Sequence, residues 1–193
     1  MERTLKILML IVLAGILLSC DVFFTAKGGR YNTLDPKSEF VEITAQIDGT
    51  VNQSGWVDTN TILSADASYL SAVFLRFDVD QIPDDFDRIY LRLYKYFTNP
   101  GATIRIHPVL VDRPPTDYAE AEGESYHDTE IYTRHLLNTA EGFEYISLDS
   151  IVNDGKSNIR YGVIIFADYD YADFASTEEV TAEWQPRLSI TTK

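Results

Sequence analysis

The stretch "IYLRLYKYF", residues 89 to 97, alternates strictly: Ile89, Leu91 and Leu93 fall on one side of a period-two pattern, and Tyr90, Arg92, Tyr94 and Tyr96 on the other. It predicts a β-strand with an aliphatic side on a core and a tyrosine-rich side turned away from it. The same kind of pattern recurs along the chain. "VEITAQI" (41 to 47), "AVFLRFDV" (72 to 79), "TIRIHPVL" (103 to 110), "FEYISL" (143 to 148), "YGVIIFA" (161 to 167) and "RLSITT" (187 to 192) read as strands, divided by turn-rich segments such as "DGTVNQSG". Helical periodicity is confined to "TEIYTRHLLNT" (129 to 139), which fits a short helix or a turn plus a short strand equally. Eight or so strands with loops between them predict an all-β antiparallel sandwich with Greek-key or jelly-roll connections. Pro100-Gly101 predicts a tight turn that makes a hairpin of the tyrosine strand and the next one. "DRPPTDYAEAEGESYHD" (112 to 128) then reads as a long polar excursion.

The chain of 193 residues, 45% of them hydrophobic, is long enough for one substantial core and too short for two large domains. Its first segment, "MERTLKILMLIVLAGILLSC", sets Arg3 and Lys6 before an apolar run from Ile7 to Leu18, the pattern of an export signal and too short for a membrane span. The end of the run resembles a bacterial lipoprotein signal, with Leu17 three before the cysteine, Ser19 just before it and Cys20 as the acceptor. That resemblance implies cleavage before Cys20 and lipid on its sulfur and new amino group, an anchor of several acyl chains. The organisation expected is therefore a signal peptide over residues 1–19, the lipidated cysteine and a flexible tether over 20–40, and a β-sandwich domain over 41–193. The place expected is the bacterial cell envelope, facing the periplasm or the cell surface, with the membrane touched only through Cys20. Cys20 is the single cysteine, so the domain has no disulfide.

The formal charge is −14, and removal of residues 1–19, which carry Glu2, Arg3 and Lys6, makes it one unit more negative. Nucleic acid and an anionic bilayer are both repelled by such a surface. Neutral glycans, metal ions and basic partners remain.

Three segments resemble one family. "FLRFDVDQIPDDFDRIYLRLYKY" (74 to 96) is similar to the signature of the DNRLRE domain, also classed as carbohydrate-binding module family 96, through Leu75-Arg76-Phe77-Asp78, Ile82-Pro83 and the alternating Ile89, Leu91 and Leu93. "FASTEEVTAEWQPRLSITT" (174 to 192) resembles the family's ending through Ser176, Glu178 and Pro186-Arg187-Leu188, and "YISLDSIVNDGKSNIRYGVIIFA" (145 to 167) its penultimate strands. The chain departs from the family in its tryptophans, which stand at Trp56 and Trp184 rather than in the middle portion. The resemblance, over roughly residues 45 to 193, implies a calcium-stabilised jelly-roll sandwich that binds polysaccharide or serves as a structural module, without catalytic apparatus.

Two groups of side chains are the site candidates. Tyr90, Tyr94 and Tyr96 with Arg92 share the outward side of one strand, where aromatic planes can pack on the C–H faces of sugar rings, and period two sets Tyr94 and Tyr96 about 7 Å apart. Asp168, Asp170 and Asp173 in "DYDYADF", read as a loop, with Glu178 are the candidate ligands of a structural calcium ion, which takes six to eight oxygens; Asp48, Asp58 and Asn60 are further candidates for completing that site. The aspartates of "FDVDQIPDDFD" are explained by turn chemistry. No catalytic residue is expected: His107, His127 and His135 lack metal-ligand spacing, and there is no nucleophile elbow or glycine-rich phosphate loop. The function expected is noncatalytic polysaccharide binding. The alternatives are an adhesive or structural lipoprotein with an envelope protein as partner, and a small polysaccharide-degrading enzyme using paired acids or Tyr126 with His127.

Overall fold

The computed structural model describes residues 40–58, 60–98, 101–153 and 155–193, all within the compact unit Lys37–Lys193. The signal, Cys20 and the tether up to residue 39 lie outside the described residues, and Phe40, expected as the end of the tether, opens the first strand. Among those described, twelve strands form two antiparallel sheets. They are β1 (Phe40–Thr44), β2 (Ile47–Asn52), β3 (Gly55–Val57), β4 (Ile62–Asp66), β5 (Ala72–Arg76), β6 (Phe86–Thr98), β7 (Thr103–Pro108), β8 (Thr133–Leu136), β9 (Gly142–Ser147), β10 (Val163–Tyr169), β11 (Tyr171–Ala175) and β12 (Arg187–Thr192). The back sheet runs β3-β2-β5-β10-β7-β8.

The front sheet is built around the tyrosine strand, β6. With 13 residues it is long enough to hold β12 along residues 86 to 92 and β11 near residues 95 to 98 on one edge, while β9 lies along residues 90 to 95 on the other. β1 continues the sheet beyond β12, and β4 beyond β11. Ile89, Leu91 and Leu93 of β6 meet Val73, Leu75, Ile104, Ile106, Val163 and Ile165 of the back sheet in a core where each is fully buried. Each contributes about 1.5–3 kcal/mol by leaving water. The all-β sandwich is thus the fold expected from the alternation.

Three local expectations are corrected. The tyrosine strand and the next strand do not form a hairpin: β6 lies in the front sheet and β7 in the back. In a hairpin the aliphatic sides of both would point the same way, whereas Leu91 and Leu93 face Ile104 and Ile106 across the core. "DGTVNQSG" is not wholly turn, because Asp48 to Asn52 continue β2, and the turn proper is Gln53-Ser54. "DYDYADF" is not a loop either: it is the end of β10, a turn at Asp170 (φ +67°) and the start of β11, whose Ala172 and Phe174 enter the core. "TEIYTRHLLNT" takes the turn-plus-strand alternative as β8.

The polar excursion is a cover with a core of its own. The back sheet's outer side carries Val51, Ala72, Phe74, Ile164 and Phe166, and Val109, just after β7, and Tyr118, Ala121 and Tyr126 of the excursion close over them. Its short helix α1 (Tyr118–Glu122) is capped by Asp117, whose carboxylate accepts from Glu120 N at 2.9 Å. Glu120 in turn accepts from Thr116 N at 2.7 Å and from the Arg113 guanidinium, which holds its carboxyl down at about 2. A five-residue helix is unstable alone, so cap and packing carry it. Gly49 lies under the Trp56 ring, where a Cβ would come within 2.5 Å of it.

Candidate functional site

The register places the outer side of the front sheet row by row. Tyr94 of β6 pairs with Phe143 of β9; Arg92 lies between Tyr145 of β9 and Arg187 of β12; Tyr90 lies between Ser147 and Ser189. Residues opposite each other in an antiparallel pair project to the same side, so these form one continuous surface. Only part of it meets water: Phe143 is 40% and Tyr145 41% exposed, Tyr94, Tyr96 and Arg92 are half-buried, and Tyr90 is 3% exposed.

The cover over this surface is the chain between β11 and β12. Ser176 Oγ donates to Asn60 O at 2.7 Å, Thr177 donates through its backbone N (2.8 Å) and hydroxyl to the Asp48 carboxylate, and Gln185 Nε2 donates to Thr177 O at 2.7 Å. The two arginines of the middle row hold its far end, Arg92 Nη2 donating to Glu183 O and Arg187 Nη2 to Ala182 O, both at 2.7 Å. Glu42 of β1 balances them: its carboxylate accepts from Ser189 Oγ at 2.6 Å and lies 3.4 Å from Arg92 Nη1 and 3.9 Å from Arg187 Nη1. Held this way, Trp184 lies flat on Tyr94, with ring centroids 4.1 Å apart and planes 4° from parallel.

The surrounding rings meet edge to face. Tyr94 meets Phe143 at 5.2 Å and Tyr96 at 5.6 Å, Tyr96 meets Trp184 at 6.1 Å, and the Arg92 guanidinium sits 4.9 Å from the Phe143 centroid. The tyrosine hydroxyls are tied to carboxylates, Tyr94 to Glu141 at 2.7 Å and Tyr96 to Glu179 at 2.6 Å. The bond to Glu141 raises the Tyr94 pKa above its ordinary value, while burial and then Glu179 raise that of Tyr96 well beyond its usual range. Both phenols therefore stay protonated donors, and the tie to Tyr96 keeps Glu179 ionised.

Of the four residues chosen from the sequence, Tyr94, Tyr96 and Arg92 are brought into one cluster and Tyr90 is packed at its side. One ring face of Tyr94 is occupied by Trp184, so the stacking surface this cluster offers to a ligand consists of Phe143, Tyr145 and Trp184. Sequence reasoning missed these three. Phe143 and Tyr145 were signalled by the alternation of "FEYISL"; for Trp184, in "TAEWQP", no local pattern points to the sheet.

The four carboxylates chosen for calcium are dispersed. Asp168 lies on the outer side of the back sheet, held by Arg105 and by Arg134 at 2.8 Å. Asp173, flanked by the inward Ala172 and Phe174, faces out of the front sheet on the opposite side of the sandwich. Asp170 is the turn between them, and Glu178 accepts from Ser176 Oγ at 2.8 Å. These four do not fit a common calcium shell, and among the described residues no group of three or more His, Cys, Asp or Glu is set to hold a metal. Glu178 and Asp58 do come close enough to Asp48 to act on it, and burial first, then those charges, raise the pKa of Asp48 against the bonds from Thr177.

Buried titratable groups lie elsewhere in the fold. Lys95 is fully buried on the inner side of β6 and donates to Ala140 O at 2.6 Å; burial lowers its pKa. Nearby Glu144 accepts from Asn138 N at 2.9 Å and lies 3.2 Å from His135 Nε2. Tyr126 and His127 of the excursion are both buried on its inner side, Tyr126 donating to Arg113 O at 2.7 Å and His127 Nδ1 paired with Ala121 O at 3.0 Å. No family model matches the chain, and no curated protein matches its sequence.

Proposed function

We propose that the chain is a noncatalytic polysaccharide-binding lipoprotein of the bacterial cell envelope, carried on a membrane through lipid on Cys20, with a DNRLRE-type domain as its binding module. The observation that carries the reading is the aromatic surface of the front sheet, where Phe143 and Tyr145 face water beside the Trp184–Tyr94 stack. Monomeric proteins seldom leave such rings together without use. A pyranose has an apolar face of C–H groups that packs on an aromatic plane, and the carboxylates and guanidinium at the rim, Glu141, Glu179 and Arg92, suit its hydroxyls.

The test is affinity electrophoresis of the full chain in detergent, in gels with and without soluble polysaccharides, each run with calcium and with a chelator. Retardation that Phe143→Ala with Tyr145→Ala weakens supports the reading. Retardation by no polysaccharide removes it, and capture of an envelope protein that depends on the same two rings would then assign the surface to a protein partner.

A further inference from the structure

A cleft of about 380 Å3 opens at the corner of the sandwich between the β2–β3 hairpin, β4 and the β4–β5 turn, lined by none of the residues of the aromatic surface. None of the ten residues around it is charged, although 24% of the chain is, so its lining differs in kind from the rest of this acidic surface. Asn52, Gln53, Asn60 and Ser64 supply amides and a hydroxyl, and Ile62 and Tyr69 supply apolar surface. Tyr69 is 80% exposed and Ile62 45% exposed. The tyrosine is held in place from below: the Asp66 carboxylate accepts from Ser68 N at 2.7 Å and from Tyr69 N at 3.0 Å, which fixes the turn and leaves the ring free. β4 pairs with β11 along one edge; its other edge borders the cleft, where Asp66 bridges to Ser71, Ser64 O accepts from Ser71 Oγ at 3.0 Å and Ser64 N donates to Thr50 Oγ1 at 3.0 Å.

We infer that this cleft is a second binding site and that its ligand is a short uncharged oligosaccharide segment. Amides and hydroxyls match sugar hydroxyls as both donors and acceptors. A charge-free lining has no ionic group to desolvate when a neutral ligand covers it. The volume is within the range of small-molecule sites, and one projecting ring beside an aliphatic side chain gives a sugar face its stacking partner. An acidic oligosaccharide meets no cation here and a repulsive net charge of −14. The inference stands on the cleft's own lining and does not depend on the aromatic surface.

The test is isothermal titration of the full-length chain in mild detergent with cello-, xylo-, manno-, laminari- and maltohexaose, and with hexagalacturonate as the acidic control. At least one neutral hexaose is expected to bind, to lose about tenfold in affinity in Tyr69→Ala and to weaken in Gln53→Ala, while Phe143→Ala with Tyr145→Ala leaves this binding in place. Both cleft side chains are exposed, so their variants keep the fold, checked by circular dichroism. Binding of no neutral hexaose, binding indifferent to Tyr69→Ala and Gln53→Ala, or tighter Tyr69-dependent binding of hexagalacturonate overturns the inference. Binding that only the Phe143 and Tyr145 changes remove overturns it and leaves the aromatic surface standing.

Discussion

Trp184→Ala removes the one ring that the arginine clamp holds against the front sheet. The ring is half-buried, stacked on Tyr94 at 4.1 Å and met on its edge by Tyr96 at 6.1 Å. A fully buried tryptophan costs about 3–5 kcal/mol when cut to alanine, so a half-buried one is expected to cost about 2 kcal/mol. Of that, about 1 kcal/mol belongs to the pair with Tyr94 and should appear as the coupling in a cycle of Trp184→Ala, Tyr94→Ala and the double variant. Urea unfolding followed by far-ultraviolet circular dichroism measures all four proteins, with Trp56 left as a fluorescent reporter. The midpoint should fall with an unchanged slope. A coupling near zero would refute the claim that Trp184 is held on Tyr94, and the clamp by Arg92 and Arg187 would lose its role.

His107 and His127 are buried with rings 4.6 Å apart, and burial lowers the pKa of both. The unfolded chain then binds protons first, so stability should fall as pH drops below the ordinary histidine value of about 6.5, and urea midpoints at pH 7 and 5 should converge in His107→Leu relative to wild type. Gly162 has φ +108° and a Cβ there would come within 2.4 Å of Leu75 O, so Gly162→Ala should cost about 2 kcal/mol or more, and Gly142→Ala, with open space around it, less by the same unfolding assay. Asp168→Asn should lower stability by about 1 kcal/mol through its two arginine partners, equally with calcium and with chelator; a loss seen only with calcium present would show that Asp168 serves a metal.

The sandwich was legible because alternation is a local signal: Ile89, Leu91 and Leu93 declare an inner side whatever they pair with. Pairing was not legible. Gly101 reads as a tight turn between β6 and β7 until the requirement that their aliphatic sides oppose each other separates them into two sheets. β11 was hidden because acids and tyrosines occupy its outward positions, so its two inward residues, Ala172 and Phe174, looked like part of an acidic loop. At the site, the strand displayed Tyr94 and Tyr96 in its own sequence, but Trp184 reaches them from 88 residues on or more through hydrogen bonds to backbone carbonyls, which any residue possesses. Contacts of that kind leave no trace in residue type. The calcium candidates are spread for the complementary reason, since the chain crosses from the back sheet to the front one at Asp170 and so sends Asp168 and Asp173 to opposite sides of the sandwich.

The most direct measurement is the mobility of the full chain in polysaccharide gels beside that of Phe143→Ala with Tyr145→Ala. Phe143 is 40% and Tyr145 41% exposed on the outer side of the front sheet, so the double variant strips the surface without opening the core between the sheets. Retardation of the wild type by at least one polysaccharide, weakened in the variant while it remains folded, is the predicted result. Wild type and variant migrating alike in every gel would contradict the account, and the aromatic surface would then be no more than the cover of a sheet.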